Sequence, residues 1–140
     1  MELKQRILGL DVGDKRIGVA VSDPFGLFAS EVCVIERIND KKALEDIEKY
    51  CKMYDIKKIA VGLPYNMDGT KGAQAEKTIK FIENLSNRYE IVYIDERLSS
   101  FEAEEILKKE KKKYTKNKGL VDMKAACLIL QTYLGEQNDK

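Results

Sequence analysis

Histidine is absent from the 140-residue chain. Its absence excludes a Ser-His or Cys-His nucleophile and any histidine-bound metal. Hydrolytic chemistry in this chain would have to rest on carboxylates, Lys, Tyr or a hard metal. Cysteine is scarce: Cys33, Cys51 and Cys127 are widely spaced, each among apolar residues, with no CxxC pairing. That argues against a disulfide framework or a zinc site and for packing thiols. No apolar run approaches the length of a membrane helix, and the first residues, MELKQRILGLDVG, hold no secretory apolar region. A cytoplasmic protein without membrane contact is expected. Excess charge is missing too: 25 Lys and Arg against 24 Asp and Glu leave +1, so net charge says nothing about a nucleic-acid partner.

Apolar residues make up 44% and charged residues 35%, an ordinary globular balance. The length suits one domain with one core, spanning 1–140. The stretch Leu8–Asp23, LGLDVGDKRIGVAVSD, organises the rest. Its two runs, Ile7–Val12 and Ile17–Val21, alternate and are rich in Val and Ile, which predicts strands. The short link containing Gly13 makes them a hairpin. Alternation sends Leu8, Leu10 and Val12 to one face and Gly9, Asp11 and Gly13 to the other. Asp11 is then a mid-strand carboxylate, costly to bury without a partner. The flanking glycines are expected to leave room for a large ligand to approach. A cation or phosphate site and a simple strand-ending acid carry similar weight on this pattern alone.

A turn follows at Asp23-Pro24-Phe25-Gly26, then a third strand from Ala29 to Arg37. Asn39 or Asp40 caps a helix reaching about Tyr54, with Ala43, Leu44, Ile47 and Cys51 on one face. Lys58–Leu63 reads as a strand covered on both faces. The loop from Pro64 to Gly72 is long for a strand-to-helix link, and such loops often carry function. A second helix is predicted from Ala73 to Asn87 and a fifth strand from Glu90 to Asp95. Ser99-Ser100-Phe101-Glu102 is a capping box that starts a third helix. That helix runs into the Lys-rich segment 108–118, which holds seven Lys and one Glu. Gly119 is expected to break the chain, and a last helix runs from about Val121 to Leu134 with Gly135 just past its end. The order predicts an α/β fold: a mixed five-stranded sheet with helices on both faces.

In such a sheet the fourth strand pairs beside the first and the fifth lies next to it. Asp11, Glu96 and Asp122 can then converge at one edge. Converging carboxylates repel unless a cation neutralises them, and hard cations such as Mg²⁺ or Mn²⁺ prefer oxygen ligands. Taken singly, Glu96 reads as a solvated strand end and Asp122 as an acid favoured by a helix dipole. Taken with Asp11, the set reads as a metal site. Lys15 and Arg16 in the hairpin add candidate phosphate contacts. The Lys-rich segment can track a phosphate backbone, although charge runs are more often solvated helix ends.

GLDVGDKRIGVAVSD, VGLPYNMDG, DERLSS and VDMKAACLILQ, in that order and at these intervals, resemble the motifs of the YqgF/RuvX family across nearly the whole chain. That family comprises pre-16S rRNA nucleases, also described as Holliday junction resolvase-like proteins. The resemblance implies a ribonuclease H-like fold and a Mg²⁺- or Mn²⁺-dependent nuclease maturing the 5′ end of 16S rRNA in the cytoplasm. Its catalytic and metal-holding acids fall on Asp11, Glu96 and Asp122. Lys15, Arg16, Asn66 and Arg97 are placed as substrate contacts. The implied partners are precursor rRNA and ribosomal particles, with the chain a monomer or homodimer. Three alternatives stand beside this: a resolvase of four-way DNA, a non-catalytic assembly factor, and a nucleotide-binding ATPase or sugar kinase. The last sits poorly with one short domain and no Walker A pattern.

Overall fold

The computed structural model describes residues 2–66, 68–96 and 118–138. Arg97, the helix expected from Ser99 and the Lys-rich run before Lys118 lie outside the described residues. Elements follow the order β1 (Ile7–Val12), β2 (Arg16–Ser22), β3 (Ala29–Glu36), α1 (Asp40–Met53), β4 (Lys58–Leu63), α2 (Ala73–Ile82), β5 (Glu90–Asp95) and α3 (Lys118–Asn138). The sheet order is β3-β2-β1-β4-β5. β1 pairs antiparallel with β2 and parallel with β4, and β4 pairs parallel with β5. The mixed five-stranded sheet is therefore as expected.

The strand alternation separates two unlike faces. Leu8, Leu10, Val12, Ile17, Val19, Val21, Ile59 and Val61 pack with Ala43, Ile47 and Cys51 of α1 and with Phe81 and Ile82 of α2. The opposite face presents Ala20, Ala60 and Ile94 to Ala126, Ile129, Leu130, Tyr133 and Leu134 of α3. One face is large and branched, the other small. Small residues let α3 lie close. A Cβ added to Gly9 would stand 2.8 Å from Leu130 Cβ, and one added to Gly18 only 2.0 Å from the Asp122 carbonyl oxygen. These glycines make room for protein rather than for a ligand, a correction to the sequence reading. Gly13 likewise faces the Arg16 carbonyl, 2.8 Å from where its Cβ would be.

α1 begins where Asn39 accepts the Lys42 N–H at 2.8 Å, the predicted cap. α2 stops earlier than expected and passes into a 3₁₀ turn over Glu83–Leu85. There the Asn84 amide donates to the Phe81 carbonyl and the Ser86 hydroxyl to that of Glu83, so side chains compete for the helical acceptors. α3 differs most. It already includes Gly119, and it continues through Gly135 to Asn138. Gln131 bridges the Ala29 N–H and the Leu27 carbonyl, and Asn138 donates to the Gly26 carbonyl at 3.1 Å. These bonds to the β2–β3 turn hold the extra helical turn. Gly26 itself sits at φ +71°, the conformation that the expected turn requires. Cys33, Cys51 and Cys127 are free thiols, with Cys51 buried.

Two substitutions separate the roles of the glycines. Gly18→Ala should cost about 1–3 kcal/mol in urea unfolding, because backbone rather than a flexible side chain stands in the way. Unchanged stability would refute the close seat of α3. Gly135→Ala has nothing within 4 Å to meet, and should stabilise by about 0.5–1 kcal/mol as a helix-interior change. A loss instead would mean that Gly135 ends the helix.

Candidate active site

Asp11 lies near the C-terminal end of β1, half-buried, on the face that α3 covers. Its cross-strand partner on β2 is Gly18. On its other side Leu10 pairs with Val61, so the next residue of β4, Gly62, comes alongside. Each glycine is about one strand spacing, ~4.8 Å, from the Asp11 backbone. Over Gly18 sits the Asp122 backbone, and over Gly62 sits the Glu96 carboxylate, its Oε1 2.7 Å from where a Cβ would be. The three acids thus come to one patch of the sheet, Asp11 in the middle with one neighbour on each side.

Glu96 follows β5 directly and is half-buried. Burial pushes its carboxyl above the usual range, and the neighbouring Asp95 charge adds to the rise. A solvated strand-end residue would not show this. Asp122 is the fifth residue of α3, past the first turn where a helix dipole favours an acid. Its carboxylate instead accepts from Arg16 Nε at 2.7 Å. Arg16 opens β2, beside the hairpin tip where Asp14 and Lys15 are exposed.

The all-oxygen donor set, the half-buried Glu96 and the absence of histidine fit a hard divalent cation in chemistry and location. Asp11, Glu96 and Asp122 are the residues that would hold it. Among the described residues, no three acidic side chains stand ready as a closed ligand set. The Asp122 carboxylate is paired with Arg16.

Asn66 lies in the loop after β4, where it is turned to the loop's own closure. Its Nδ2 donates to Thr70 Oγ1 at 3.1 Å, its backbone N–H to the Thr70 carbonyl, and its carbonyl accepts from Gly69. Asp68 accepts from the Thr70 N–H and hydroxyl. Arg37 was missed by the sequence reading. Its Nη1 donates to the Gly13 carbonyl at 2.8 Å, its backbone N–H to that of Lys15 at 2.9 Å, and its guanidinium stacks 4.2 Å from the Phe81 ring centroid. It ties the hairpin that bears Asp11 and Arg16 to α2. An arginine just past a strand end carries no sequence signal for that role.

The profile of the RuvX family, described as Holliday junction resolvase, matches residues 5–136. A protein of Sulfurihydrogenibium sp. named "Putative pre-16S rRNA nuclease" is 50% identical over 133 residues, covering 92% of this chain and 89% of its own. A protein of Clostridioides difficile with the same name is 47% identical over 134 residues, covering 94% of this chain and 95% of its own. Among solved structures, Thermus thermophilus RuvC in complex with a Holliday junction superposes with a TM-score of 0.59 at 10% identity, covering 96% of each chain. The fowlpox virus Holliday junction resolvase gives 0.59 at 12% identity, covering 95% of this chain and 99% of its own. These likenesses establish the ribonuclease H-like fold. The family profile and the relatives, each over nearly the full length, show that the chain belongs to the RuvX family.

Proposed function

We propose that this chain is a cation-dependent nuclease that trims the 5′ end of precursor 16S rRNA in the cytoplasm, as a single domain. The observation that carries the reading is the meeting of Asp11, Glu96 and Asp122 on one sheet patch in a chain without histidine. Relatives named as pre-16S rRNA nucleases support the choice of substrate. Among the described residues no helix is long and apolar enough to cross a membrane.

A Mg²⁺ or Mn²⁺ ion supplies, when bound, Lewis acidity toward a phosphodiester and the means to make water a nucleophile. The chain's own residues do the rest. Asp11, fixed in a central strand, provides a carboxylate whose position does not drift. Glu96 is held over Gly62, where burial disfavours its charge, and from there its carboxylate would serve as a ligand to the ion. Lys15 and Arg16 stand at the mouth of the hairpin as donors to phosphate oxygens. Arg97 and the Lys-rich run belong to the same strand-holding role. Asn66 and Thr70 lie in the loop that follows the same end of β4. Ribosomal particles are the natural context of such a substrate, with the chain acting as a monomer or homodimer.

End-labelled precursor rRNA, single-stranded DNA of the same sequence and a four-way junction distinguish the readings, each with Mn²⁺, Mg²⁺ or EDTA. Metal-dependent cutting of the RNA is expected, reduced at least about a hundredfold in Asp11→Asn. Symmetric cutting of the junction alone would make the chain a resolvase. Binding without cutting would make it an assembly factor. A second expectation concerns Glu96→Gln. With the shape of the side chain kept, the fold should be retained in thermal unfolding at neutral pH, while cleavage is lost. Cleavage at the parental rate would remove Glu96 from the site.

A further inference from the structure

Asp122 is claimed twice. It belongs to the proposed cation site, and it already holds a cation of the chain's own, the Arg16 guanidinium, at 2.7 Å. A divalent ion arriving at this carboxylate meets a resident positive charge within a few ångströms, which opposes it. Neither backbone can move aside to relieve the conflict. Arg16 is registered opposite Glu36 on β3, and its carbonyl accepts the Gly13 N–H at 2.9 Å. The Asp122 backbone is pressed onto Gly18. The Arg16 side chain is what remains able to leave, and at 27% exposed it borders solvent beside the exposed Lys15. A guanidinium matches a phosphate as well as it matches a carboxylate.

We propose that Arg16 is an exchange latch: it holds Asp122 while no divalent cation is bound, and passes to a phosphate of the nucleic acid when the cation takes the carboxylate. The inference rests on the cation-site reading above and adds a coupling to it. Nucleic acid that draws Arg16 away exposes Asp122, so cation and nucleic acid bind with mutual reinforcement, each raising the other's affinity by the same factor. An enzyme built this way holds its cation weakly until a strand is present. Arg16 acts on the cation through Asp122 and is a positioning residue in that respect.

The test is Mn²⁺ binding to the full chain, read from the paramagnetic resonance of the free ion, with and without a short phosphorothioate RNA. Parent, Arg16→Gln, Arg16→Lys and Asp122→Asn chains are compared. Without RNA, Arg16→Gln should bind Mn²⁺ roughly three- to tenfold more tightly than the parent, the size expected for a partly exposed charge-assisted contact. Arg16→Lys should stay near the parent. RNA should tighten Mn²⁺ binding severalfold in the parent and hardly at all in Arg16→Gln. Equal Mn²⁺ affinity in parent and Arg16→Gln, or an equal RNA effect in both, would overturn the latch. If Asp122→Asn meanwhile loses Mn²⁺, the cation site stands and the latch alone fails. If Asp122→Asn binds like the parent, the cation-site reading fails with it. Should Arg16→Gln not fold, the Arg16 Nε resonance of the parent carries the test: it must shift with Mg²⁺ saturation, and an unmoved resonance overturns the proposal.

Discussion

The close seat of α3 on β1, β2 and β4 is the constraint from which the rest follows. Gly9, Gly18 and Gly62 remove the side chains that would hold the helix away, and Ala20 and Ala60 extend the same shallow footprint. With the helix this low, the Asp122 backbone touches the strand beside Asp11 and Ile129 reaches the strand on its other side. A helix packed at ordinary distance on bulkier residues would lift Asp122 away from Asp11. The opposite face, with its large branched side chains under α1 and α2, supplies most of the apolar burial and leaves the helix-covered face to do the positioning.

The electrostatics of the patch follow from that geometry. Three carboxylates brought to one patch of a sheet repel one another, and burial raises the cost for Glu96. Arg16 on Asp122 offsets part of this. The hairpin carrying Arg16 is itself braced by Arg37 through two carbonyls and an aromatic ring. Proposed ligands and proposed phosphate contacts are therefore linked through one short stretch of chain, from Asp11 to Arg16.

Much of this was legible in the residues. Alternation in Ile7–Val12 and Ile17–Val21 revealed strands and which way Asp11 faces, because a strand's period of two leaves little choice. The order of strands and helices revealed the sheet. The glycines flanking Asp11, Gly9 and Gly13, were visible too, and were read as space for a ligand. Only the tertiary contact with Leu130 and Asp122 shows that a helix fills that space. The length of α3 escaped because its last turn is held by Asn138 bonding to the distant Gly26 carbonyl, which no local pattern at Gly135 reveals. The pairing of Arg16 with Asp122, 106 residues apart in sequence, escaped for the same reason.

On the proposed reading, Asp11, Glu96 and Asp122 hold one divalent-cation centre. Anomalous scattering from crystals grown with Mn²⁺ tests it most directly. Mn²⁺ density is expected within ligand distance, about 2.0–2.3 Å, of oxygens from all three side chains, with Arg16 withdrawn from Asp122. Saturating Mn²⁺ that leaves this patch empty, or that binds elsewhere while Arg16 stays on Asp122, would contradict it.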